Sequence, residues 1–172
     1  MSSRATQKVA MLMGGLSAER EVSLVSGREC AAALRGEGFE VIELDAGADL
    51  AQRLEDLRPD VAFNALHGRW GEDGAVQGLL EWLKIPYTHS GVLASALGMD
   101  KQRSKKAFVE AGLPVVDSKI VAKSDAASKF LLPAPYVIKP NNEGSSVGIY
   151  FVQDGANVLP DLGDDLPDIV MI

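Results

Sequence analysis

Lys8-Val-Ala-Met-Leu-Met-Gly-Gly-Leu-Ser-Ala-Glu-Arg-Glu-Val-Ser23 is the stretch from which the fold is read. Its compact apolar run ends at Gly14-Gly15, so residues 8–13 are expected to form a buried strand that feeds a turn. Beyond the turn, Leu24, Gly27, Ala31 and Leu34 recur at helical spacing, and Gly36 and Gly38 mark where that helix stops. The same handover then repeats. Phe39 to Leu44 reads as a second strand; Leu50, Leu54 and Leu57 form a helical stripe stopped by Pro59. Val61 to Phe63 reads as a third strand, Gly74 to Leu83 as a further helix, and Tyr87-Thr88 as a short strand after Pro86. Strands alternating with helices predict βαβ units and an open parallel sheet.

Near Leu97-Gly98 the rhythm changes, which divides the chain into domains 1–98 and 99–172. Lys101 to Ala111 is a charged helix stopped by Gly112 and Pro114, and Val115-Val116 and Lys119 to Val121 read as strand pieces. A short helix from Ser124 to Leu131 precedes a strand, Pro135 to Pro140. A Gly/Ser turn and a returning strand, Val147 to Val152, follow. Pro167 to Ile172 reads as one more strand, with no segment left in the sequence to cover this sheet. The fold class is therefore α/β: an open, Rossmann-like parallel-sheet domain followed by the beginning of an α+β domain.

Composition narrows the function classes. With 172 residues, 47% hydrophobic and 24% charged, the chain can bury one good core and part of a second, which rules out a disordered or collagen-like polymer. Seventeen Lys and Arg against 24 Asp and Glu give a net charge of −7, which argues against general affinity for nucleic acid or an anionic membrane. No run approaches the ~20 apolar residues of a membrane span, and the N-terminus has no signal-peptide core, so a cytoplasmic location is expected. The single cysteine, Cys30, fits a reducing compartment and reads as a packing residue.

Four segments look more like site than scaffold. Gly14 to Ser23 lies where a first strand hands over to a helix, the edge of a parallel sheet at which ligands bind. It lacks the G-x-G-x-x-G spacing, and its Glu19 and Glu21 suit a ligand ammonium better than a pyrophosphate; the plainer alternative is that they favour the helix dipole. Asn64-Ala-Leu-His-Gly-Arg-Trp-Gly-Glu-Asp-Gly74 crowds His67, Arg69, Glu72 and Asp73 among glycines, as a loop brought close to a ligand would. No second histidine is near enough to make a metal site, and His89 reads as structural. Met99 to Lys106 reads mainly as a solvated basic face, although Lys101 could reach a phosphate. Val137-Ile-Lys-Pro-Asn-Asn-Glu-Gly-Ser-Ser-Val-Gly148 delivers Lys139 to a small-residue turn of the kind that forms an anion-binding nest. An ordinary Gly-Ser hairpin is the alternative there.

Taken in order, Gly14-Gly-Leu-Ser-Ala-Glu-Arg-Glu-Val-Ser23, Ala65-Leu-His-Gly-Arg-x-Gly-Glu-Asp-Gly74, Gly91-Val-Leu-Ala-Ser-Ala-Leu-Gly-Met-Asp-Lys101 and Lys139-Pro-x-x-Glu-Gly-Ser-Ser-Val-Gly148 resemble the signatures of one family. That family is the D-alanine–D-alanine ligases of the ATP-grasp superfamily, and the resemblance spans about residues 8 to 152. It implies a pre-ATP-grasp N-terminal domain, then the start of an ATP-grasp domain. It also implies an enzyme that uses ATP and Mg²⁺ to phosphorylate one D-alanine, which the amine of a second then attacks, for peptidoglycan synthesis.

The resemblance also assigns residues. Glu19 would hold the ammonium of the first D-alanine, with Val22, Ser23 and His67 in the same pocket, and Ser145 would join Glu19 in orienting substrate. Glu19, Ser145 and His67 would be the catalytic set. Lys101, Lys139, Glu143, Gly144, Ser145, Ser146, Val147 and Gly148 would bind ATP. The family's Mg²⁺ ligands have no counterpart in this sequence, so no metal residue is assigned and turnover by residues 1–172 alone is not expected. The partners implied are D-alanine, ATP and a second copy in a homodimer. A ligase joining D-alanine to D-lactate or D-serine, and a non-catalytic binding or assembly module, are the alternatives.

Overall fold

The computed structural model describes residues 6–144 and 148–172, in two compact units, 1–96 and 97–172. In the first unit β1 (Lys8–Met13) is the central strand of a parallel sheet ordered β2-β1-β3, with β2 (Glu40–Asp45) and β3 (Val61–Asn64) beside it. Lys8 pairs with Glu40 and Met13 with Asp45 on one side; Val9 pairs with Val61 and Leu12 with Asn64 on the other. Flanked on both edges and covered on both faces, β1 is buried from Val9 to Met13, which is why its sequence is apolar without alternation. Tyr87 adds a single parallel bridge at Ala62.

The pleat sends successive residues of β1 to opposite faces. Ala10 and Leu12 join Leu50 and Leu54 of α2 (Leu50–Leu57) and Val76 and Leu80 of α3 (Ala75–Trp82) in one core. Val9, Met11 and Met13 join Ala31 of α1 (Arg20–Gly36) in the other, against which Cys30 also packs. The crossovers that a parallel sheet demands are supplied by these helices, so the loops after β1 and β3 emerge together at one edge of the sheet.

A helix that the sequence reading did not anticipate, α4 (Val92–Met99), follows; it has no buried residue and hence no one-sided stripe to reveal it. In the second unit come α5 (Lys101–Glu110), β4 (Ile120–Ala122), α6 (Lys123–Ser128), β5 (Tyr136–Pro140), β6 (Tyr150–Val152) and β7 (Ile169–Met171). The sheet is antiparallel, ordered β4-β7-β5-β6, with Tyr136 opposite Val152 and Lys139 opposite Met171.

Two expectations for this unit need correction. Val115-Val116 is not a strand: among the described residues no strand pairs with it, and Val116 is 80% exposed. The sheet does have cover, because Ala126 of α6 and Leu159, Leu162 and Leu166 of the acidic loop pack with Ile138, Val152 and Val170. That loop is anchored by Tyr150, whose hydroxyl donates to Asp165 at 2.6 Å and accepts the Gly163 N–H at 3.0 Å. Its Asp161, Asp164 and Asp168 are exposed, as a solvated acidic run would be. Among the described residues no helix is long and apolar enough to cross a membrane.

Candidate functional site

In the first unit the loops after β1 and β3 are bound to each other by serines. The Ser17 hydroxyl donates to the His67 carbonyl at 2.8 Å and accepts the Glu19 N–H at 3.1 Å, so one side chain fixes the backbone of both residues. The Glu19 side chain is buried, at 6% exposure, and a Cβ added to Gly68 would lie 2.7 Å from its Oε1. With φ of +67°, Gly68 is required on two counts: backbone conformation and room for the carboxylate. The His67 ring is held in turn, its Nε2 3.1 Å from the Ser26 hydroxyl on α1. A buried carboxylate and an imidazole thus sit on neighbouring loops at the carboxyl edge of the parallel sheet, the edge at which ligands of such sheets commonly bind.

The other residues expected here separate by role. Ser23 is fully buried and its hydroxyl donates to the Ala65 carbonyl at 2.7 Å, tying α1 to the end of β3. Val22 is 54% exposed on the first turns of α1. Glu72 accepts the Gly68 N–H at 2.6 Å, while Asp73 accepts those of Trp70 and Ala75 at 3.0 and 3.1 Å, so both carboxylates build the loop they sit in. Arg69 is exposed and stacks over Trp70, 4.9 Å from the ring centroid. His89 is structural: its Nε2 lies 2.8 Å from the Asn64 carbonyl and its ring meets Phe63 edge-on.

Arg20 and Asp45 form a forked ion pair at the same edge, with Nη1 2.6 Å from Oδ1. The Arg20 guanidinium, aided by the Gly15 N–H, holds the Asp45 carboxyl down at about 2, although burial acts the other way. Arg20 also donates to the Gly15 carbonyl at 3.0 Å, so the pair pins the turn after β1. A cavity of about 240 Å³ opens beside this turn, lined by Ser17, His67 and the apolar Leu50, Leu66, Val76 and Leu79. Glu19 is not part of its wall.

In the second unit, α5 begins against the segment that follows β5. Asp100 caps the helix by accepting the Arg103 N–H at 2.9 Å and also accepts the Asn141 amide at 2.9 Å. The Asn141 side chain accepts the Gln102 N–H at 2.9 Å. Lys101 donates to the carbonyls of Asn141, at 3.3 Å, and Glu143. Burial, and then the charge of Lys139, push the Lys101 ammonium below its ordinary value; the same two causes lower Lys105. The Lys139 charge acts on both ammonium groups, and cations brought this close make a place where an anion is favoured. Glu143 and Gly144 follow Asn141 in this segment, and Gly148 has a φ of +65°. The expected site residues Ser145, Ser146 and Val147 lie outside the described residues.

Ser17, Ser26 and the Arg20–Asp45 pair were not anticipated from sequence. Among the described residues, no group of three or more His, Cys, Asp or Glu converges to hold a metal ion.

The chain thus sets a parallel α/β unit ahead of an antiparallel one, an order of units that the comparisons find in a class of ligases. Residues 45–90 match the family model described as the D-ala D-ala ligase N-terminus. A D-alanine–D-alanine ligase of Dinoroseobacter shibae is 69% identical over all 172 residues, which cover 56% of that protein, and one from Ruegeria sp. is 69% identical over 165 residues and 54% of its length. The crystal structure of D-alanine–D-alanine ligase from Bacillus anthracis superposes with a TM-score of 0.74 at 34% identity, over 96% of this chain and 56% of that one. Its complex with ATP gives a TM-score of 0.71 at 35% identity, over 87% and 51%. Over nearly its whole length the chain is similar to D-alanine–D-alanine ligases, and it spans a little over half the length of these curated relatives.

Proposed function

We propose that the chain forms the D-alanine-binding and part of the ATP-binding portion of a ligase that makes D-alanyl-D-alanine for peptidoglycan. Residues 1–98 would serve as the amino-acid domain and 99–172 as the start of the ATP-grasp domain. The observation that carries the reading is the burial of the Glu19 carboxylate against the His67-Gly68 loop. There it can accept the ammonium of the first D-alanine, with His67, Val22 and Ser23 around it, and Ser145 joining Glu19.

The chemistry follows from the substrate. A carboxylate is a poor electrophile until one oxygen becomes a leaving group. In the proposed reaction an oxygen of D-alanine attacks the γ-phosphorus of ATP, ADP departs, and the second D-alanine's amine displaces phosphate from the acyl carbon. Negative charge develops on transferring oxygens, and Lys101 and Lys139 are suited to offset it. Glu143, Gly144, Ser145, Ser146, Val147 and Gly148 would cover the phosphates, with backbone N–H groups as donors. Mg²⁺ would neutralise phosphate charge when bound with ATP; the described residues do not form a set that fits it, so no step is assigned to a metal here. The same reading places the enzyme in the cytoplasm as a homodimer.

Titration calorimetry with D-alanine and with L-alanine tests the carrying observation. Binding of D-alanine by the 172-residue chain, lost in Glu19→Gln with unchanged unfolding, is the expected result; equal binding by both proteins would overturn it. In a polypeptide of the relatives' full length, ATP and D-alanine should yield phosphate and dipeptide in equal amounts.

A further inference from the structure

The Ser26 hydroxyl stands between two groups. It lies 2.9 Å from the Val22 carbonyl, one turn back on α1, and 3.1 Å from Nε2 of His67. A hydroxyl has one proton to donate and lone pairs to accept with. A carbonyl has no proton, so the Val22 contact is a hydrogen bond only if Ser26 donates to it. Once its proton is committed there, Ser26 can meet Nε2 only as acceptor. One assignment satisfies both contacts: Nε2 carries a hydrogen. We propose that Ser26 is a positioning residue that fixes His67 in the Nε2–H form and leaves Nδ1 as the nitrogen that accepts or releases a proton.

Two further observations support a fixed ring. The His67 carbonyl is held by Ser17 at 2.8 Å, so residue 67 is anchored through its main chain as well as through its ring. Ser26 is itself held by α1, whose Ser23 donates to the Ala65 carbonyl two residues before His67. The helix therefore grips the loop after β3 at two points, and the ring nitrogen is set by the second of them. Which nitrogen of a histidine carries the proton is determined by the bond the other ring position makes, and this decides whether the group presents a donor or an acceptor to a ligand. The inference rests on the ligase reading only for the use made of Nδ1; the tautomer itself follows from the two distances.

Nitrogen-15 NMR of the histidine side chains in the 172-residue chain reads the tautomer without any substrate. The expected result is a single neutral form of His67 protonated at Nε2. Ser26→Ala should give a mixture of the two neutral forms, and Ser26→Thr, which keeps the hydroxyl, should restore the single form. A neutral His67 protonated at Nδ1, or unchanged populations in Ser26→Ala, would overturn the proposal. In a polypeptide of the relatives' full length, Ser26→Ala should lower kcat by roughly tenfold to a hundredfold, the range for a reacting group held an ångström out of place, with KM for ATP unchanged. Loss of ATP affinity in step with kcat would count against a positioning role. If the tautomer is as expected but D-alanine neither binds nor reacts, the ligase reading fails and the assignment at His67 stands.

Discussion

Replacement of Gly27 by alanine sets two opposed effects against each other, and the structure decides the sign. In a helix interior, alanine is favoured over glycine by about 1 kcal/mol because it restricts the unfolded chain and shields the backbone. Gly27, however, is the buried face of α1 against β1. A Cβ there would lie 2.5 Å from Met13 Cβ and 2.7 Å from its Sδ, against the ~3.5–4.0 Å of an ordinary carbon contact. The sulfur can turn away. The Cβ cannot, because it is fixed to a strand paired on both edges, so α1 itself has to move by about an ångström. Overpacking of this kind costs about 1–3 kcal/mol, which, set against that gain, leaves a net loss of up to about 2 kcal/mol.

Gly78 in α3 is the matched control. No heavy atom lies within 4 Å of its added Cβ, so Gly78→Ala should gain about 0.5–1 kcal/mol from propensity alone. Both tryptophans, Trp70 and Trp82, lie in the first unit, so fluorescence during urea unfolding reports the unit in which both glycines sit. The two variants should shift in opposite directions, about 2 kcal/mol apart. If Gly27→Ala proves as stable as the parent, the packing of α1 on Met13 is not as described. The spacing also bears on the site, because α1 carries Ser26 to His67; Gly27→Ala should perturb the His67 ring resonances where Gly78→Ala leaves them alone.

Gly68→Ala places a Cβ against Glu19 in a backbone conformation that resists it, so D-alanine binding should fall far more than ATP binding; equal losses in calorimetry would count against Glu19 as the ammonium acceptor. Asp45 has its carboxyl lowered from 3.8 to about 2 by Arg20, so the stability it contributes is in place above its unfolded value and is lost as pH falls through the folded one. The urea midpoints of the parent and Asp45→Asn should therefore differ most near neutral pH and converge between about pH 4 and pH 2, and a gap independent of pH would exclude this origin. Lys139→Met should raise the Lys101 pKa, since the Lys139 charge helps depress it; an NMR titration of the lysine side chains that shows no rise would separate the two ammonium groups.

Much of this fold could be read before any coordinates, and the exceptions share a cause. β1 and α2 have the bounds expected of them because each marks its ends locally, with Gly14-Gly15 after one and Pro59 after the other. α4 was overlooked because Val-Leu-Ala-Ser-Ala-Leu-Gly-Met presents no polar face and buries none of its residues. Val115-Val116 misled because β-branched residues favour strands only where a neighbour offers backbone to pair with. The site divides in the same way. Glu19 and His67 are visible by residue type, whereas the role of Ser17 and Ser26 depends on contacts with His67, 50 and 41 positions away in sequence.

The loop from Asn64 to Gly74 shows why a dense polar motif need not be a dense set of ligand contacts. A loop that turns this sharply at the edge of a sheet leaves backbone N–H and C=O groups without ladder partners, and each buried one must be satisfied. Asn64 accepts the Leu66 N–H at 3.1 Å and donates to the Gly71 carbonyl at 2.8 Å; Gln77 donates to that same carbonyl at 2.8 Å. Glu72 and Asp73 take three more N–H groups, and carboxylates suit this because they only accept. Once these side chains are committed to the loop, His67 and Arg69 are the polar side chains of 64–74 not engaged in holding its backbone. Arg69 lies on Trp70 in solvent, while His67 meets the helix that carries Glu19 toward the same loop. Rigidity in the scaffold and selectivity in the site thus have one origin: carboxylates and amides hold the backbone still so that a single imidazole is presented beside a buried carboxylate.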